Sequence, residues 1–397
     1  MNSPPVVEAG RRPILVEVFN SVQGAAFFKR LLEEWRKAGN QLIAHNVISE
    51  DDYRASRGLL GRVALRWRMY GGYAWLCWRE ARNRRPESTV RVVTTNPFFA
   101  PALVKWTAGS RGKTVNLLYD LFPDALIQSG TIGADAWMAQ WCTAITRYSL
   151  RESDVTVFLG ERLRRHAETT YGAARRSIVI PVGADGAPFR DSPPQSQAAG
   201  TIPTILYSGQ MGRMHEMDTL LAYWRQAPSQ DVRWSFFASG KGYEGFKKKS
   251  AGVINVEWGG ALHDTAWREV MRNAQVALVT VASGAERVVM PSKTYSALVA
   301  GQAVLAVCSR ESDLADLVFQ HDCGWVVEPG DVSGLHQALS EIAGNSGRLL
   351  TKRRNAYEAG HRYYDMTRIA VLWDELFMDL TSPPPAVGSG RNASRAE

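Results

Sequence analysis

Twelve short apolar runs, rich in β-branched residues, recur along the chain, and most lead into a small-residue turn and a helical pattern. In the first half they are Ile14–Asn20, Leu42–Val47, Arg91–Thr95, Thr114–Tyr119, Asp154–Leu159 and Ile178–Val182. In the second half they are Thr204–Ser208, Trp234–Ala238, Val253–Trp258, Val276–Val281, Ala303–Val307 and a run opening at Gly324. Strands that alternate with helices are joined by crossovers, and such crossovers build parallel sheets covered by helices. Near-continuous apolar runs suit strands buried on both faces. Residues 186–203, rich in Pro, Ser, Gln, Ala and Gly, have linker composition and divide the runs six and six. A chain of 397 residues is long enough for two cores. The reading is α/β with two Rossmann-like βαβ domains: a disordered lead over 1–12, a first domain over 13–185, a linker over 186–203 and a second domain over 204–363. A final helix over 364–380 and a disordered tail over 381–397 complete it.

The stretch Glu286 to Cys308 carries the most chemistry. A strand ends at Val281, a polar loop follows, and Pro291-Ser292 reads as a helix start that Ser292 can cap. The helix runs Lys293 to about Ala300, and Gly301 stops it. A helix N-terminus presents free N–H groups and a positive dipole end, and Lys293 adds a full charge. Open α/β sheets bind ligands at the carboxyl ends of their strands, so this is an anion site by position.

Pro291, Ser292, Lys293, Ser296 and Ala300-Gly301-Gln302-Ala303-Val304 resemble, in frame and spacing, the donor-binding segment of family 4 glycosyltransferases of the GT-B fold. The family's donor-holding Glu falls on Ser296 and its partner Glu on Val288; Glu286 is two positions away. The resemblance continues at Gly209–His215, where the family's phosphate-clamping Arg and Lys fall on Gln210 and His215, with Arg213 the nearest cation. It also covers Gly240 with Lys241, Gly259, and the segment Pro181-Val182-Gly183-Ala184-Asp185 before the linker. It implies two domains facing across a cleft, a C-terminal helix crossing back onto the first, and a nucleotide-diphosphate sugar as donor substrate with no separate cofactor. In the first domain it makes Gly24 a candidate facing the donor diphosphate, and Asp120 a candidate for sugar or acceptor contacts. A turn or helix-cap aspartate is an equally good reading of Asp120.

Arginines crowd residues 54–85, among them Arg54, Arg57, Arg62, Arg66, Arg68, Arg79, Arg82, Arg84 and Arg85. Leu60, Val63, Trp67, Tyr70, Ala74 and Cys77 recur at helical spacing between them. A membrane-surface helix and a core-packed helix with a basic solvated flank both fit that pattern. The net charge of +8 points to an anionic partner, and the absence of a nucleic-acid signature argues against nucleic acid. Cys77, Cys142, Cys308 and Cys323 are too scattered for a zinc or disulfide frame. No apolar run reaches the ~20 residues of a bilayer span, and the first residues lack a secretory pattern. The expected setting is cytoplasmic, with peripheral contact to the inner membrane face left open.

The expected activity is transfer of a glycosyl group from a nucleotide-diphosphate sugar to a glycan, lipid-linked or small-molecule acceptor. The family retains anomeric configuration. No Asp-x-Asp motif is present, so no metal is expected to hold the donor. Lys293, Arg213 and Asp120 are the catalytic candidates. Gly24, Gly209, Gln210, His215, Gly240, Lys241, Gly259, Glu286, Pro291, Ser292 and Ser296 are the donor-binding ones. A non-catalytic GT-B scaffold and a sugar-nucleotide epimerase are the rival classes.

Overall fold

The computed structural model describes residues 13–23, 26–49, 52, 58–196, 198, 200–226 and 231–382. The side chains of Phe27, Leu59 and Arg62 are outside that description, as are Gly24, Arg54 and Arg57 altogether. The first domain carries β1 (Leu15–Phe19), α1 (Ala26–Lys37) and β2 (Gln41–His45). Next come α2 (Gly58–Trp67), a π-helical turn (Arg68–Gly72) and α3 (Tyr73–Arg82). They are followed by β3 (Val90–Thr94), α4 (Ala100–Ala108), β4 (Lys113–Leu118), α5 (Asp124–Gln128) and α6 (Trp137–Glu152). The domain closes with β5 (Val155–Phe158), α7 (Glu161–Tyr171) and β6 (Ser177–Val179).

The second domain runs β7 (Thr204–Gln210), α8 (Asp218–Gln226), β8 (Arg233–Ser239), α9 (Lys241–Lys249), β9 (Val256–Gly259) and α10 (Asp264–Asn273). It continues with β10 (Val276–Thr280), α11 (Lys293–Val299), β11 (Ala303–Val307), α12 (Asp313–Gln320) and β12 (Gly324–Val327). The chain ends in α13 (Val332–Gly344), α14 (Ser346–Ala359) and α15 (Met366–Thr381).

Each domain holds one six-stranded sheet, and every strand pairing in both is parallel. The expected α/β architecture of two helix-covered parallel sheets is what the chain adopts. The orders differ in detail. The first sheet is β2-β1-β3-β4-β5-β6, and the second is β12-β11-β10-β7-β8-β9. The strand order reverses between β1 and β3 in one sheet and between β10 and β7 in the other. Such a reversal opens a crevice, because the connections leave to opposite sides of the sheet. Asn20 and Asn96 follow β1 and β3, while Gly209 and Gln210 end β7, and all four line one cleft between the domains.

Hydrogen bonds among the described residues join the two domains. Asp313 of the second domain accepts hydrogen bonds from the N–H groups of Arg162 (2.9 Å) and Leu163 (3.1 Å), in the first turn of α7. Arg162 donates back to Asp316 at 2.9 Å, and Arg213 donates to the Ser129 carbonyl at 2.8 Å. α15 then returns to the first domain. Trp373 and Phe377 place their rings 5.1 and 5.0 Å from buried Trp35, and Asn40 donates to Asp374 at 3.0 Å.

Helical expectations fared less evenly. α4, α9 and α12 lie where no helix was read: Pro101 sits in the first turn of α4, Gly242 and Gly245 dilute α9, and α12 is only eight residues. The final helix, expected over 364–380, begins at Met366, because Asp365 is extended and caps α15 through Thr367 N–H at 2.9 Å. Ser292 does not cap α11. Its backbone is already helical and its side chain makes no capping bond. All four cysteines are buried and free.

Candidate active site

The cleft has a volume of about 1350 Å³, above the roughly 300–1,000 Å³ of most small-molecule sites and roomy enough for two substrates. Its second-domain wall is built from the ends of β7 and β10 and the start of α11. Gly209 ends β7 with φ 118°, a conformation a side chain resists, so the chain can turn at once into the Gln210–His215 loop. Beneath that loop Gly240 (φ 110°) leaves room for the Met211 carbonyl, which an added Cβ would meet at 2.6 Å.

Lys293 is the centre of the wall. Its ammonium donates to the Tyr207 hydroxyl at 2.7 Å and lies 3.1 Å from His215 Nε2. It also stands 3.9 Å above the Tyr207 ring. The Tyr207 hydroxyl in turn donates a hydrogen bond to the Gln210 carbonyl at 2.9 Å. Among the described residues no carboxylate pairs with Lys293. Burial therefore acts uncompensated and pulls its pKa down to about 7. His215 is held down to about 4 by burial first and by the Lys293 charge second. His215 Nδ1 accepts the Gly212 N–H at 3.1 Å, which leaves the ring proton of the neutral imidazole on Nε2, facing Lys293. Two donors thus face one another, a poor arrangement for the empty cleft and a good one for an anion that accepts from both.

The amide dipoles at α11 contribute less than the sequence implied. Thr294 N–H bonds back to the Pro291 carbonyl (3.1 Å) and Tyr295 N–H to the Ser292 carbonyl (3.2 Å). The Lys293 charge is the larger part of the anion site.

The cleft gathers Asp120, Gly209, Gln210, His215, Pro291, Ser292, Lys293 and Ser296 of the expected residues. Asp120 reaches cleft water from the first-domain wall, and the protein on either side displaces enough solvent to raise its pKa. Five candidates are not in the lining. Arg213 reaches away to Ser129, so it joins the domains instead of clamping beside Lys293. Gly240 and Gly259 provide clearance for Met211 and for the Phe237 ring. Lys241 opens α9 on the surface, and Glu286 stands on a short 3₁₀ turn (Ala285–Arg287) with Oε2 buried and unpaired. Gly24 lies outside the described residues.

Several lining groups were not anticipated: Lys29, Asn96, Trp267 and Arg268. Tyr207 reads as core and is core, fully buried, and it bears on the site from beneath by accepting from Lys293. Lys29 reads as the wet side of an amphipathic helix, yet that side faces the cleft. Neighbouring Arg30 also lines the cleft, with its charge answered by Glu33 at 3.1 Å and Glu34 at 3.3 Å.

Residues 202–345 match the family model for glycosyl transferases group 1. The probable glycosyltransferase WbjE of Pseudomonas aeruginosa is 21% identical over 242 residues, 58% of this chain and 60% of that protein. The match therefore spans about three fifths of the length of that curated relative. Sucrose-phosphate synthase from Thermosynechococcus elongatus superposes with a TM-score of 0.70 at 14% identity, over 93% of this chain and 99% of that one. Anabaena HepE, solved in complex with UDP-glucose, gives 0.64 at 12% identity, over 92% and 99%. At those identities the likeness is one of fold, and the fold is GT-B.

Proposed function

We propose that this chain, whose residues 202–345 form a group 1 glycosyltransferase domain within a GT-B frame, transfers a glycosyl group from a nucleotide-diphosphate sugar to an acceptor at the first-domain wall. The observation that carries the reading is Lys293, a lysine without a carboxylate partner among the described residues, facing His215 in the interdomain cleft. As the glycosidic bond breaks, its electrons pass to the diphosphate oxygen. Lys293 stabilises the charge where it forms, and the negative diphosphate in turn raises the lysine's pKa so that it holds a proton taken from solvent. Lys29, from the opposite wall, is a second cation within the same cleft. No step requires a metal: the fixed cations take the leaving charge.

Transfer with retention follows if the acceptor hydroxyl attacks from the face the diphosphate leaves and gives its proton to the departing oxygen. The place of Asp120 in the cleft lining favours a second reading, in which that carboxylate removes the acceptor proton and the product is inverted. Proton NMR of the first-formed product distinguishes the two, and Asp120→Asn abolishes turnover only under inversion.

The outer face of the first domain supports peripheral docking on an anionic membrane. Trp67, Trp75, Trp78, Trp106 and Trp137 are exposed there, with Arg79 stacked over Trp75 and Arg82 over Trp78, each at 4.6 Å. Among the described residues no helix is long and apolar enough to cross a membrane. A thermal-shift screen with UDP, GDP and ADP tests the donor reading: one of them raises the melting temperature, and no shift by any at millimolar concentration rejects it in favour of a scaffold.

A further inference from the structure

Beside the donor cleft lies a second cavity of about 610 Å³, and almost no polar atom opens onto it. α3, α4 and α6 supply its walls, with the π-helical turn before α3 forming one lip. Tyr70, Phe99, Leu103, Trp106, Trp141 and Ile145 line it. Trp106 is 68% exposed and Trp141 51%, far more than aromatic side chains left over from a core. Large apolar surface kept open in this way marks a binding site.

Continuity with the cleft says what kind of ligand fits. A chain of ring contacts runs from Tyr70 to Phe99 (6.4 Å), Phe99 to Phe98 (5.7 Å) and Phe98 to Phe122 (5.5 Å). Phe122 is two residues from Asp120, and Phe99 three from Asn96, and both of those polar residues line the donor cleft. Three residues span at most about 10 Å, so groove and cleft open within one amphiphile's length of each other. Charge points the same way. α2, the π turn, α3, α4 and α6 together carry eight Lys and Arg against two Glu, six of the chain's eight net charges. Tryptophan and tyrosine with arginine is the mixture found where protein meets the headgroup layer.

We propose that the groove holds the hydrocarbon chain of the acceptor, a lipid with an anionic phosphate head, and sets that head at the mouth of the donor cleft. The proposal rests on the glycosyl-transfer reading and names its acceptor class. The chain leaves the membrane surface along the exposed tryptophans, lies between Tyr70 and Trp141, and directs the headgroup past Phe98 toward Asn96 and Asp120.

The full chain is titrated with dodecyl phosphate below its micelle concentration, with a terminally brominated analogue to quench tryptophan, and with methyl phosphate as the headgroup alone. Saturable quenching by the bromo chain is expected, with methyl phosphate failing to compete. Ala102→Phe, which fills the groove, and Trp141→Ala, which removes a wall from an exposed position, each weaken binding at least tenfold. Both variants keep the wild-type nucleoside-diphosphate thermal shift, which shows that they fold. Binding unchanged in both variants, or equal competition by methyl phosphate, overturns the proposal. A Trp141-dependent dimer in sedimentation, with no dodecyl phosphate bound, also overturns it and makes the groove a protein interface. Loss of nucleotide binding by the wild type, with dodecyl phosphate still bound, instead sinks the glycosyl-transfer reading and leaves the lipid groove standing.

Discussion

The two domains use their aromatic residues in opposite ways. In the second, Tyr207, Trp224, Trp234, Phe236, Phe246 and Trp258 form one connected cluster; Phe236 stacks 6.0 Å from Tyr207 and 4.9 Å from Trp258. Phe236 is fully buried, and the cluster's edge is the Tyr207 ring on which Lys293 rests. In the first domain Trp67, Trp106 and Trp137 are 71, 68 and 73% exposed. A close-packed cluster cannot yield, and it holds an unpaired charge in a geometry that water would otherwise relax. An exposed apolar face contributes nothing to folding, and its value lies in what it meets. The donor half is built to stay rigid around a charge, and the acceptor half to receive a ligand from outside.

That contrast breaks most visibly in stability. Phe236→Ala should cost ~3–5 kcal/mol, as large buried aromatics do, whereas Trp137→Ala should stay within ~0.5 kcal/mol. Chemical denaturation measures both, and equal losses would erase the distinction between the two regions.

Lys293→Ala is next in size. It should remove ~2–4 kcal/mol of transition-state stabilisation, read as a fall in kcat with the donor found by the thermal screen. An unchanged kcat means that the charge of Lys293 is not used on the leaving group.

The same lysine has a stability signature with a definite sign. Its folded pKa, about 7, lies below its ordinary value, so the folded state is penalised wherever the unfolded chain would be charged. That penalty is full below about pH 7 and fades as pH rises toward the ordinary lysine range. Lys293→Met should therefore raise the melting temperature most at pH 6 and least at pH 10. A variant that is destabilised at pH 6 would show that the lysine is structural.

The smallest effect belongs to the exposed face. Flotation on phosphatidylglycerol vesicles should decline with salt, by about 1 kcal/mol for each arginine removed near the surface, and Arg79→Ala and Arg82→Ala sample it. Flotation indifferent to salt and to lipid charge leaves that face without its membrane.

How much of this was legible in the sequence follows from which interactions are local. All twelve strands were readable, most directly the central ones, because a buried parallel strand is a continuous apolar run and Val276–Val281 or Ala303–Val307 can be little else. Lys293 was readable from its place after a strand and before a helix. What failed depends on distant chain. Arg213 is two residues from His215, yet its hydrogen bond goes to Ser129, 84 residues away. Lys29 looks like surface until the two sheets are set face to face and its side of the helix lines the cleft. The groove was invisible because α4, one of its walls, begins Ala100-Pro101 and reads as a loop.

The central claim is that Lys293 waits partly deprotonated for an anion. Calorimetry at pH 8 in two buffers of different ionisation enthalpy measures the protons taken up when the nucleoside diphosphate identified by thermal shift binds. The wild type should take up close to one proton per diphosphate bound, and Lys293→Met close to none. Proton uptake that is absent in the wild type, or that survives in Lys293→Met, would contradict the account.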